Sequence, residues 1–544
     1  MNEIRENLAR RPWATRALIA LIALHLLGAV PVAAAAGPRV VPSAPGSGGE
    51  GAALRIQDGK LRLTLDESIE QALARNLGIR VERYSRAQAR LGIQEAMGIY
   101  DLGLGGNLSA SHSESATASS LEGAAVQEQD VEALSFGVSQ LFSTGGTLEA
   151  QWTSNRLETN SQFFLLNPSY DAGIDVAFRQ PLLQNRGRNP TDFGLRVARL
   201  ASDQALKSFE DEISSTILQV EIAYWGVVEA QEQLKVAEES RRLANQLHEN
   251  NKVRVDVGTL APLELVSSEA GIATREEEVI RFRAAVGNAE DVLKSLLHVE
   301  GTAAWAAAIE AETNPEIEHP QVNLEQSLES ALQARPELAR ERLAQQSREL
   351  EAAYFHAQMQ PRLDLRVGYG FNGVGGDLVV RDENGNIVST VPGGLSDAVD
   401  QITGGDFPAW SIALEFGYPL QNRSARARAT IAELAADQGD AVLSQLELIT
   451  TTEVRLAVRA METASQELDS ARVSVRLQTA NIDAERKKFL NGLSTSFQIL
   501  EVEEDLTNAR SREVRAVTGY RRALVGYYRA IGKLLEQSGV SIAD

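Results

Sequence analysis

Apolar residues along this chain follow two rhythms, and the switches between them mark its elements. From Ser424 to Phe489 there is no proline, and Met461, Leu468, Val475, Ile482 and Phe489 stand seven residues apart. That spacing predicts a long helix holding one seam against a partner. The pattern breaks at Asn491, Gly492, Leu493 and Ser494, then resumes from Thr495 to about Gln537. An earlier stretch repeats the device. Leu206, Ile213, Val220, Val227 and Leu234 form a seam that ends at Val257, Gly258, Thr259 and Leu260, and Pro262 follows where a helix start tolerates it. Gly258 aligns with Gly492, Leu265 with Ile499 and Glu269 with Glu503. In each turn the glycine supplies the φ > 0 that reverses a chain. The chain is an internal duplication.

The second rhythm has period two. Between Tyr100 and Leu183 the segments DLGLGGNLSASHS, VEALSFGVSQLF, GTLEAQWTSNRLET and YDAGIDVAFRQPLL alternate apolar and polar residues. Each is about ten residues, enough to cross a bilayer at a tilt. Their connectors alternate as well: a long polar loop at Glu114–Asp130, a tight turn at Ser143–Gly146, a longer loop around Ser161–Asn167. Short turns on one side and long loops on the other are the habit of outer-membrane barrels, although a soluble antiparallel sheet alternates in the same way. The second half offers strands at Arg362–Phe371 and Ala409–Leu420, with a hairpin signal at Asp382–Gly385 in the insert between them.

Taken in order, residues 1–36 are a predicted signal peptide and 37–59 a Gly, Pro and Ser rich leader. The first repeat, 60–298, opens on a capping box at Thr64 and Glu67, has strands at about 100–183, and carries a long helix pair turned at 256–262. A connector at 299–322 leads to the second repeat, 323–537. Asn323 and Gln326 cap it, its strands lie at about 362–420, and its helix pair turns at 490–496; a tail follows at 538–544. The helix from Asn189 to Val255 is about 100 Å long at 1.5 Å per residue. The expected fold class is mixed α and β: a transmembrane β-barrel continued by a long α-helical coiled coil. A strand in lipid must belong to a closed barrel, and about six strands fall short of the roughly eight that the smallest barrels need. Several copies must therefore share one.

Composition narrows the function. There is no cysteine, which excludes disulfides and thiol catalysis; the net charge is −21, unsuited to nucleic acid. Arg10, Arg11 and Arg16 precede an apolar run from Ala17 to Val30 that is too short to span a bilayer, then Ala33–Ala36, the pattern of an export signal. No nucleophile–base set or metal cluster emerges, and no cofactor is expected. Gly368, Gly370 and Gly373 match G-x-G-x-x-G but no helix follows, and the calcium-loop likeness at Asp382, Asn384 and Asn386 has Ile387 where glycine is required.

The opening LTLDESIEQALARN and its repeat NLEQSLESALQARPEL, the passages FRQPLLQNRGR and FGYPLQNRSAR, and the turns VGTLAPLELVSSEA and NGLSTSFQILEVEE occur in order, twice over. In these the chain resembles the TolC-type outer-membrane efflux and secretion channels over about residues 60–536. The resemblance implies a homotrimer sharing one barrel in outer-membrane lipid and one periplasmic tunnel, without catalysis. It also implies a periplasmic adaptor protein and an inner-membrane transporter as partners. It implies a tunnel constriction six and nine residues after the second turn glycine, at Gln498 and Glu501, of which only the second is acidic; Glu264 holds the first-repeat position. The turns at Val257, Gly258, Thr259, Leu260, Asn491, Gly492, Leu493 and Ser494 become adaptor-docking tips. Family members commonly give four strands per chain, so the hairpin around Ser143–Gly146 is extra: either the barrel is wider or that hairpin lies outside the membrane. An exported coiled-coil scaffold or adhesin with a β-rich head is the alternative reading.

Overall fold

A computed structural model describes residues 56–542, apart from 58, 118–124, 313–319, 383–386 and 492. The predicted signal peptide, most of the leader and the turn residue Gly492 lie outside the described residues.

Each half begins with a capped pair of helices. Thr64 accepts from the Glu67 amide (3.2 Å) while Glu67 accepts from the Thr64 amide (2.9 Å), starting α1, Leu65–Arg75. Asn323 accepts from the Gln326 amide at 3.1 Å to start α7, Leu324–Ala334. Where the alternation of residues predicts one helix as far as Gly98, the chain breaks at Asn76, whose side chain caps a second helix, α2, Leu77–Met97. The second half breaks likewise at Arg335, with Pro336 opening α8, Pro336–Ala357. Ala72 and Ala331 are buried at equivalent places, as are Ile79 and Leu338.

From α2 the chain enters four antiparallel strands: β3, Gly103–Ala116; β4, Val126–Leu141; β5, Thr147–Thr159; and β6, Leu166–Pro181. The polar loop expected at 114–130 is shorter, since both flanking strands run into it. A four-residue turn of helix, α3 (Arg188–Thr191), leads into α4, Phe193–Asp256, and then α5, Leu263–Leu296. The 299–322 connector is more than a linker. It holds α6 (Thr302–Ala306) and β7 (Ala308–Ala311), and β7 lies parallel to β2 (Lys60–Leu63), which in turn pairs with β1 (Ile56–Gln57). The leader is thus structured from Ile56. Tyr224 of α4 ties this small sheet down by donating to the carbonyls of Leu63 (3.2 Å) and Glu312 (2.8 Å).

The second half adds β8, Arg362–Arg381; β9, Ile387–Val391; α9, Leu395–Gly404; and β10, Pro408–Gly417. It ends in α10, Arg423–Leu490; α11, Ser496–Ala530; and α12, Leu534–Gln537. The helix expected to reach Gln537 stops at Ala530 because Gly532 turns out of it at φ 75°. Residues of the tail fold back: Val540 and Ile542 pack on the core that Leu61, Ile79, Ile217, Val220 and Leu293 build.

At 64 and 68 residues, α4 and α10 each extend about 100 Å. Ile213, Val220 and Val227 of one seam are buried, as are Met461, Leu468, Ile482 and Phe489 of the other. The four long helices form a row in which α5 packs on α4, α4 on α11 and α11 on α10. Its outer members keep large apolar side chains in the open, among them Val266 and Ile280 on α5 and Leu434, Leu448 and Leu477 on α10.

Candidate functional site

Two regions carry the chain's chemistry: a sheet with unlike faces, and the far ends of the long helices.

The long strands form one sheet in the order β10-β8-β6-β5-β4-β3, with β9 on β8. Hydrogen-bond register lines residues of one parity into rows across it. One row runs Phe136, Trp152, Ile174, Phe371; the next runs Leu104, Val138, Ala150, Val176, Tyr369, Trp410. The row below holds Leu148, Phe178, Val367 and Ile412. Most of these side chains are exposed, Trp410 at 74% and Leu104 at 76%, so the face is apolar and uncovered except where Trp152 and Phe371 meet a short helix at its upper end. Residues of the other parity are small or polar: Ser135, Thr153, Gly173 and Asn372 in one row, Gly137, Gln151, Asp175 and Gly370 in the next. From Leu363 to Phe371 the apolar band measures about 27 Å along the strand, or about 20 Å across a bilayer at a 40° tilt, close to the band of an outer-membrane barrel.

The apolar band has clear limits. At its upper end the same face turns charged, where Arg156 meets Glu158 at 2.5 Å and Glu132 at 4.0 Å. There α9 lies against the sheet, burying Ala398 and Ile402 on Ala172. Gly373 and Gly375 make room for it, since a Cβ on either would come within 2.1 Å of an α9-side carbonyl oxygen. On the opposite, polar face, near the lower end, Arg179 donates to the buried Asp364 at 2.5 and 3.0 Å, joining the two halves.

At the helix tips, Gly258 stands at φ 73°, its amide donating to Val255 (2.9 Å) and that of Thr259 to Arg254 (2.8 Å). Val257 is exposed but Leu260 is half-buried, unlike the exposed tip residue expected. In the second turn Leu493 is 77% exposed and its amide donates to Lys488 at 2.9 Å. Lys488 and the Ser494 hydroxyl both donate to Glu485, which holds its carboxyl below the usual range.

The acidic run after this turn divides by partner. Glu503 pairs with Arg486 at 3.0 Å and Glu504 with Arg275 at 3.3 Å, so these two bind helices together. Glu501 is exposed and has no ion pair among the described residues. Gln498 serves the local fold: its amide donates to Thr495, and its side chain accepts from Thr495 N (3.4 Å) and Ser494 Oγ (3.0 Å). Glu264 is half-buried, with Oε2 enclosed and unpartnered. Sequence reasoning missed what holds the two hairpins side by side. Arg254 lies over the Phe489 ring (4.6 Å), and Ser496 donates to the fully buried Asn251 at 3.3 Å. These partners stand over two hundred residues apart, and no local pattern links them.

Residues 327–533 match the family model described as outer membrane efflux protein. Solved structures extend the likeness to both halves of the fold. The outer-membrane channel OprN is 18% identical, with a TM-score of 0.60 over 86% of this chain and 89% of its own. The CmeC outer membrane channel of Campylobacter jejuni gives 14% and 0.62 over 86% of each chain. The outer membrane protein VceC of Vibrio cholerae gives 14% and 0.60, over 86% of this chain and 96% of its own. What this chain shares with them at such identities is the fold. No curated protein matches it by sequence.

Proposed function

We propose that the chain is the outer-membrane exit duct of a tripartite efflux pump or type I secretion system. Three copies share one barrel and one periplasmic tunnel, and a periplasmic adaptor and an inner-membrane transporter feed it. It acts as a passive duct, with no catalytic step or cofactor, after residues 1–36 are removed on export. The observation that carries this reading is the sheet, apolar on one exposed face and polar on the other, leading directly into helices about 100 Å long. An open apolar face of that height suits lipid, and the polar face suits a water-filled lumen. A coiled-coil scaffold would have no use for either.

The tips at 257–260 and 491–494 are the proposed adaptor contacts. Glu501, unpaired and exposed, is the proposed lumen carboxylate near the constriction, with Gln498 and Glu264 beside it in the ring of copies. Three such carboxylates in a narrow pore favour cations. Glu501→Ala is expected to lower cation preference in planar bilayers; unchanged selectivity removes that assignment.

Imaging of the mature chain, extracted from membranes in detergent, tests the whole reading. Three-fold particles about 140 Å long, with a ring in end view, are expected from the helices and barrel together. Thin rods or soluble monomers would favour the scaffold.

A further inference from the structure

We infer that each copy contributes all six long strands to the barrel, so that β3 of one copy pairs with β10 of the next and three copies close an eighteen-stranded wall. This rests on the duct reading above, and adds the strand count and the identity of the joining edges.

The first argument is register. In the sheet the two strands beyond a count of four are β3 and β4, at its free end; if they lay outside the membrane, their side chains would follow no membrane pattern. Instead Leu104 and Val138 continue the row of Ala150, Val176, Tyr369 and Trp410, and Leu108 pairs with Leu134 two rows higher on the same face. Phe136 stacks on Trp152 across the β4–β5 boundary, centroids 6.4 Å apart. The opposite face of the hairpin continues the polar side, with Gly105 beside Gly137 and Asn107 beside Ser135.

The second argument is anchorage. The turn joining β4 to β5 is fastened to the base of the sheet. Gly187 N donates to Thr144 O at 2.9 Å, and Gln180 Nε2 donates to the same oxygen at 3.0 Å. Gly145 stands at φ 82°, and a Cβ there would come within 2.4 Å of the Asn185 carbonyl oxygen. Gln140 donates to Tyr100 O at 2.6 Å where β3 begins. The β3–β4 pair therefore starts and ends at the level where the other strands meet their helices.

The third argument is the edges. β3 pairs only with β4, and β10 only with β8, among the described residues. Every residue of β3 is exposed, and so is every residue of β10 but Glu415 and Gly417. Neither edge carries a lysine, a bulge or a covering helix of the kind that protects free edges in water. In hydrocarbon an unpaired edge is untenable. With an even number of strands, β3 and β10 run in opposite directions, so edges of successive copies meet antiparallel. The fitting occupant is a second copy of this chain. Eighteen strands instead of twelve widen the barrel about one and a half times.

The natural absence of cysteine makes the test clean. Ser411→Cys in β10 is combined with Asn107→Cys, Ser109→Cys or Ser111→Cys in β3, all on the polar face, and oxidised in native membranes. A control set combines Ser411→Cys with Gln151→Cys, Thr153→Cys or Asn155→Cys in β5, which would be the free edge if the hairpin lay outside. At least one β3 pair is expected to give disulfide-linked dimers and trimers on non-reducing gels, and no β5 pair. Links through β5 overturn the six-strand count and leave the duct reading intact. No link in either set also overturns it, and native mass spectrometry of the unmodified chain then shows whether trimers exist at all or the duct reading falls too.

Discussion

Glu221 shows how one residue sets a pH response. It is half-buried in the middle of α4, and burial first, then the nearby Asp66, push its carboxyl up to about 7, against the pull of Arg521. Below the ordinary glutamate range, folded and unfolded chains both hold the proton and no difference arises. As pH rises through the range up to about 7, the unfolded chain loses its proton first, so stability is progressively lost. Glu221→Gln is expected to raise the unfolding midpoint of the full chain at pH 8 and to leave it unchanged at pH 4, as followed by circular dichroism. An equal gain at both pH values would point to packing instead. At this scale the sequence is readable only where partners are neighbours. Thr64 with Glu67 announces its own geometry, whereas nothing around Glu221 marks it as half-buried.

Elements are joined by a charge network at the level where α4, α8, α10 and α11 meet. Arg529 of α11 binds both Asp211 of α4 and Glu337 of α8, the latter at 2.8 Å. Arg335 also holds Glu337 at 3.1 Å, and reaches Glu453 of α10 at 2.5 Å. Burial alone would raise both carboxyls. Arg529 and Arg335 bring Glu337 below its usual range, while at Asp211 burial and then the neighbouring Glu337 outweigh the pull of Arg529, Arg340 and Arg335, and the carboxyl stays raised. Arg529→Met takes the ion pair from the half-buried Asp211 and leaves Glu337 to Arg335 alone, and is expected to cost up to about 3 kcal/mol in denaturant unfolding. Adding Asp211→Asn should return part of that loss, since the two changes share partners. Full additivity would mean the network is not coupled. The seams and turns of these helices were plain in the seven-residue spacing because each helix repeats one instruction along its length. The breaks at Asn76 and Arg335 were not, because helical periodicity continues across both, and β7 was too short to stand out from a connector.

For the whole molecule, the sequence yields strands but not their count in one wall. Alternation in β3 and β4 is the same whether the hairpin lies in lipid or in water. The decision comes from register with β5, and from a turn pinned to Asn185 and Gly187 from forty residues away. The division of the acidic run after the second turn was equally hidden, since only packing tells that Glu503 and Glu504 face arginines and Glu501 does not.

The bare edges at β3 and β10 have a genetic consequence. A wall sealed only where one copy meets the next has no place for a defective member. If half the copies in a cell carry a blocked β3, random mixing leaves about one three-membered ring in eight wholly sound. If three copies seal the barrel as proposed, an edge lesion in this chain is dominant, and its severity is set by the ratio of the two alleles' expression.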